Sequence, residues 1–111
     1  MTRPADLDVL ARLEAVIAAR RGADPDASHT ARMLAQGPTK CAQKFGEEAV
    51  ETVIAGAAQD DDALASEAAD ALYHLLVLLA ARDIPLADVM AELARREGVS
   101  GVAEKAGRPQ A

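Results

Sequence analysis

Aromatic residues are almost missing from this sequence: one Phe, one Tyr and no Trp in 111 positions. Two rings, Phe45 and Tyr73, are too few to build a surface that stacks on unpaired bases. A basic surplus is missing as well. Lys and Arg total 12 against 18 Asp and Glu, a net charge of −6, so the chain lacks the cations that bind duplex phosphates. Nucleic acid is therefore excluded as a partner. The single Cys41 can close neither an intrachain disulfide nor a thiolate metal site, which fits a reducing, cytoplasmic setting. No apolar segment follows Met1-Thr2-Arg3-Pro4, so no signal peptide is expected. The longest strongly apolar stretch, Leu72 to Ala81, is interrupted by His74 and falls well short of the roughly 20 residues that span a bilayer. It reads as a buried helix, with no membrane partner. No Gly-rich phosphate loop of the Walker or dinucleotide type occurs.

What is present is helical. Apolar residues make up 50%, and Ala, the best helix former, dominates them. The expected fold is all-α, a single domain over 1–111 made of four main helices plus a short one. Asp6 is expected to cap a first helix carrying Leu7, Leu10, Leu13 and Ile17, which ends near Arg20-Arg21-Gly22. Residues 22–29 read as a loop. Ser28 or Thr30 caps a short helix to Gln36, stopped by Gly37-Pro38. Thr39 opens a long helix to about Gln59. Asp60-Asp61-Asp62 reads as an acidic turn and cap rather than a metal site. The next helix runs from about Ala63 to Arg82. The last has Pro85 in its first turn, reaches about Arg96 and stops at Gly98. An irregular tail begins at about 99. Ala contributes little transfer free energy, at roughly 25 cal/mol per Å² buried. A core this poor in large residues is expected to be completed by homo-oligomerisation, as a dimer or higher.

The acids are not spread evenly. Glu48-x-x-Glu51 on one helix is followed by Glu67-x-x-Asp70 on the next. Positions three or four apart share a helix face. Lys44, Glu47, Glu48 and Glu51 share one arc, with Val50, Val53, Ile54 and Ala57 beside it. Glu67, Asp70 and His74 share another, flanked by Leu72, Leu75, Leu76 and Leu79. The short connection makes the two helices antiparallel neighbours, so the acidic faces can meet. Two carboxylates about 4 Å apart repel by roughly 4 kcal/mol at an effective dielectric of 20, so such a cluster calls for protons or a cation. Oxygen ligands without Cys suit a hard ion, Mg²⁺ or Mn²⁺. The alternative is a set of solvated surface acids eased by Lys44. Glu-x-x-His and His-Glu-x-x-His patterns are absent, which excludes ferritin-like di-iron sites and zinc proteases. Cys41 reads as packing, and His74 as a helix histidine or a ligand-orienting group.

Together these segments resemble the all-α nucleotide pyrophosphohydrolases of the MazG-like superfamily, and within it the phosphoribosyl-ATP pyrophosphatase family. The four-carboxylate motif carries the superfamily. The nearer likeness rests on Ser28-His29-Thr30-x-x-x-Leu34-x-x-Gly37, Lys40-x-x-x-Lys44-x-x-Glu47-Glu48-x-x-Glu51, Asp70-x-x-Tyr73-His74-Leu75-Leu76-Val77-Leu78 and Arg96-x-x-x-Ser100-Gly101-x-x-x-Lys105, spread over roughly residues 6 to 108. His29 departs from the Tyr more usual there. The resemblance implies Mg²⁺-dependent hydrolysis of phosphoribosyl-ATP to phosphoribosyl-AMP and pyrophosphate, the second step of histidine biosynthesis. It makes Glu48, Glu51, Glu67 and Asp70 the metal ligands and Glu47 the group that positions or deprotonates water. Lys44 and Lys40 become phosphate contacts, with Arg95, Arg96 and Lys105 as lesser ones. The rival expectations are a house-cleaning hydrolase of nucleoside triphosphates and a non-catalytic helical dimerisation module.

Overall fold

The computed structural model describes residues 5–98, and these form five helices with no strand. They are α1 (Val9–Arg20), α2 (His29–Gln36), α3 (Pro38–Ala58), α4 (Asp61–Ala81) and α5 (Leu86–Arg96). The tail expected from about 99, and Lys105 in it, lie outside the described residues.

Most helix starts follow from local chemistry. Ser28, not Thr30, caps α2: its hydroxyl accepts the Ala31 amide at 3.1 Å. Gly37, at φ 94°, turns the chain from α2 into α3. The helix then begins at Pro38, one residue before the expected Thr39, because a proline at the first helical position gives up only an amide that has no partner there. Asp60 caps α4 by accepting the Ala63 amide at 2.8 Å, and Asp61 and Asp62 stand in its positive first turn. The acidic triplet is thus a helix start, and α4 begins two residues earlier than expected.

Asp6 does not cap α1. Its Oδ1 accepts the Asp8 amide at 3.0 Å, and its carbonyl accepts the Val9 amide at 3.1 Å. Short Asp side chains readily close such turns on their own backbone. Leu7 consequently sits before the helix and is 88% exposed, outside the apolar stripe expected to hold it. Pro85 precedes α5 rather than lying in its first turn. The first amide of α5, on Leu86, donates to Glu14 Oε2 of α1 at 2.6 Å.

The core is small. Ile17, Met33, Cys41, Leu76, Val77 and Leu86 are buried, with Leu10, Leu13, Leu34 and Tyr73 packed against them. Cys41 Sγ donates to the Met33 carbonyl at 3.2 Å, and burial pushes its thiol pKa up. Cys41 is packing, as expected. Among the described residues the α3–α4 hairpin, joined by two residues, makes the most extensive interface and α5 is the least attached helix. Val50, Val53, Ile54 and Leu72 face solvent. By length and composition α4 could cross a membrane, with an 18-residue window of mean hydropathy 1.4. It is longer than the Leu72–Ala81 stretch suggested. However, Leu76 and Val77 lie in the core and Glu67 and Asp70 occupy its middle, where a bilayer would impose a cost of roughly 2.5–3.5 kcal/mol for each charge.

Glu14 ties α5 to α1 through a charge-assisted bond to a helix start. Glu14→Ala is expected to lower unfolding stability by about 1–3 kcal/mol. Urea denaturation measures this, and an unchanged midpoint would contradict the assignment.

Candidate active site

Antiparallel packing of α3 on α4 brings acids from both helices together. One carboxylate oxygen from each of Glu48, Glu67 and Asp70 lies within 4.8 Å of the other two. Glu51, the fourth expected ligand, is exposed and outside this trio, but its charge reaches Glu67. The Glu67 carboxyl pKa is raised, first by desolvation in the helix seam and then by the charges of Asp70, Glu51 and Glu48. That rise reports a locus where a further negative charge is disfavoured and a cation is favoured. The donor set, oxygens only, suits a hard divalent ion.

Cations and a groove border the trio. Lys44 Nζ is 3.3 Å from Glu48 Oε1 and 3.6 Å from Glu47 Oε2. The hydrogen bond to Glu48 is the main reason its ammonium pKa is raised. Glu47 is more open, and its Oε1 accepts from Gln43 Nε2 at 3.3 Å. Lys44 and Glu47 share a groove of about 240 Å³ with Met33, Gln36, Lys40 and Gln43. Lys40 Nζ stands 3.5 Å from Gln43 Oε1. The groove thus combines two Lys side chains, two amides and an apolar floor beside the acids. Gln36 and Gln43 escaped sequence reasoning because single amides carry no spacing signal.

His74 is 6% exposed, and its Nδ1 has no hydrogen-bond partner. Its ring meets Tyr73 and His29 edge-on, at centroid distances of 4.9 and 6.0 Å. Burial lowers its pKa, outweighing the nearby charge of Glu48. Tyr73 Oη pairs with Thr30 Oγ1. His29 therefore makes a ring contact although it replaces the more usual Tyr.

The helix-terminal arginines are placed differently from the lysines. Arg95 Nη2 lies 2.7 Å and Arg96 Nε 3.1 Å from Glu92 Oε1, and together they hold the Glu92 carboxyl at about 2. Both are thus tied to Glu92 on their own helix.

The family model for phosphoribosyl-ATP pyrophosphohydrolase matches residues 10–97. The chain belongs to this family. A Dinoroseobacter shibae protein named phosphoribosyl-ATP pyrophosphatase is 68% identical over 102 residues, 92% of this chain and 100% of that one. One from Cereibacter sphaeroides with the same name is also 68% identical, over 92% of this chain and 99% of its own. A Ruegeria pomeroyi protein so named is 60% identical over 94% and 99%. The matched span of this pyrophosphohydrolase family contains the whole α3–α4 hairpin, and so every residue of the trio.

The raised pKa of Glu67 has a consequence for stability. A carboxyl that holds its proton more tightly when folded stabilises the fold at low pH. That contribution is complete below the ordinary Glu value and is lost as pH rises through the raised value. Glu67→Gln, which is neutral at every pH, should therefore melt above wild type at pH 7 in chelating buffer. Near pH 4 it should show no such advantage. A lower melting temperature at pH 7 would contradict the electrostatic account.

Proposed function

We propose that this chain hydrolyses phosphoribosyl-ATP to phosphoribosyl-AMP and pyrophosphate in histidine biosynthesis, using Mg²⁺, with Mn²⁺ as a substitute. The observation that carries the site assignment is the convergence of Glu48, Glu67 and Asp70 within 4.8 Å beside a groove containing Lys40 and Lys44. Glu48, Glu67 and Asp70 would hold the ion, with Glu51 adding charge or completing the set. When bound, the ion supplies positive charge that offsets what develops on phosphoryl oxygens.

The chain's own groups do the rest. Lys44, held between Glu47 and Glu48, presents a cation to phosphate at the edge of the groove. Lys40 extends that positive lining. Glu47 is half exposed; beside its ion pair with Lys44 it accepts one long amide bond from Gln43, which leaves its carboxylate lone pairs with which to orient a water and accept its proton. Burial lowers the pKa of the His74 ring, which favours its neutral form on the α4 side of the site. Arg95 and Arg96 are engaged by Glu92 and stay lesser phosphate candidates.

The deciding experiment is chromatographic product analysis with phosphoribosyl-ATP and Mg²⁺ beside a panel of nucleoside triphosphates. Phosphoribosyl-AMP and pyrophosphate are the expected products. Turnover of the panel alone would replace this substrate with a house-cleaning role. Asp70→Asn and Glu48→Gln should each lower kcat/KM by about a hundredfold or more while circular dichroism stays helical. Unaltered rates would refute the assigned ligands and favour a non-catalytic module.

The proposal extends to assembly and location. Val53 is 69% exposed, and Val50, Ile54 and Leu72 are also open on the helices that carry the site. The Cα radius of gyration is 16.2 Å, against about 13 Å for a compact chain of this length. Another copy covering these side chains would bury the apolar surface that one chain leaves open. The working form is accordingly a cytoplasmic homodimer or higher homo-oligomer. Light scattering should give a mass at least twice the 11.5 kDa of one chain, and Val53→Glu should shift it toward the monomer. A monomeric wild type would contradict this.

A further inference from the structure

Thr52 lies one turn beyond Glu48 on α3, half-buried in the seam with α4. Its Oγ1 is 2.9 Å from the Glu48 carbonyl and 3.0 Å from the Glu67 carbonyl. A helical Thr commonly bonds the carbonyl four residues back. The second contact is different, because it crosses between helices. A hydroxyl has one proton, so the two carbonyls share it. Both belong to residues whose side chains converge in the carboxylate trio, one from each helix.

The seam gives other reasons for a polar tie at this height. Ala55 is fully buried, and Gly56 faces Leu64, whose Cδ1 lies 3.7 Å from where a Cβ would stand. Small residues interdigitate shallowly and resist axial sliding less than large ones. A directional bond at the level of the acids supplies the missing restraint. Mg²⁺ demands near-ideal geometry at about 2.0–2.1 Å, so small slips between Glu48 and Glu67 matter.

We propose that Thr52 is a positioning residue. Its hydroxyl sets the register of α3 against α4 and thereby the spacing of Glu48 and Glu67 that a divalent cation requires. This inference rests on the metal reading above.

The test is direct Mn²⁺ binding to the full chain, followed by the loss of the free-ion electron paramagnetic resonance signal. Wild type is compared with Thr52→Val, Thr52→Ala and Thr52→Ser, each checked for helicity by circular dichroism. Val keeps the shape without the hydroxyl. Ala favours the helix even if Val packs badly. Both should weaken Mn²⁺ binding by about tenfold, as supporting groups around metal ligands typically do. Ser should bind like wild type. Equal binding by all four overturns the role of Thr52 and leaves the metal reading standing. A wild type that binds no Mn²⁺ overturns the metal reading and this inference with it.

Discussion

The mutual repulsion of Glu48, Glu67 and Asp70 is the constraint on which the rest of the structure depends. Three carboxylate oxygens from two helices lie within 4.8 Å, close enough for their like charges to disfavour one another. A domain of marginal net stability feels such a repulsion. Lys44 supplies part of the compensation through Glu48, and the raised pKa of Glu67 reports the repulsion that is left. A divalent cation held by these oxygens, as proposed above, would offset the repulsion and draw α3 and α4 together at this level.

The remainder of the fold serves that hairpin. α2 forms the far wall of the groove with Met33 and Gln36, and its start is tied to α4 through Thr30 and Tyr73. α1 contributes Ile17 to the core and the Glu14 carboxylate that anchors α5. The large apolar side chains open on α3 and α4 lie on the same two helices as the acids. The acidic surplus has the same origin. Without Glu47, Glu48, Glu51, Glu67 and Asp70, thirteen acids face twelve bases. A net negative charge argues against nucleic-acid backbones as partners, but not against a small polyphosphate that meets a metal first, because the ion inverts the local sign.

Much of this was legible in the residues. Helical periodicity and Gly37, Pro38 and Asp60 located the elements to within one or two positions, since each acts through its own backbone. The Glu48-x-x-Glu51 and Glu67-x-x-Asp70 spacings brought the right faces together. Leu7 and Asp6 were misread because an Asp can close a turn as readily as it caps a helix. The acidic pattern treated its four members alike, whereas in the structure Glu51 stands outside the trio and acts on Glu67 through its charge. Arg95 and Arg96 were read as lesser phosphate contacts, and the structure adds that Glu92, three and four residues earlier, binds them both. Thr52, Gln43 and Glu14 were invisible because their partners lie on other helices or depend on the rotamers chosen.

The most direct test replaces the repulsion itself. In the triple variant Glu48→Gln, Glu67→Gln, Asp70→Asn, melting is followed in chelating buffer and again with saturating Mg²⁺. The account predicts that the variant melts above wild type without the ion and gains nothing from it, while wild type rises on adding Mg²⁺. A variant that melts below wild type in chelator, or is stabilised by Mg²⁺ as much as wild type is, would contradict it.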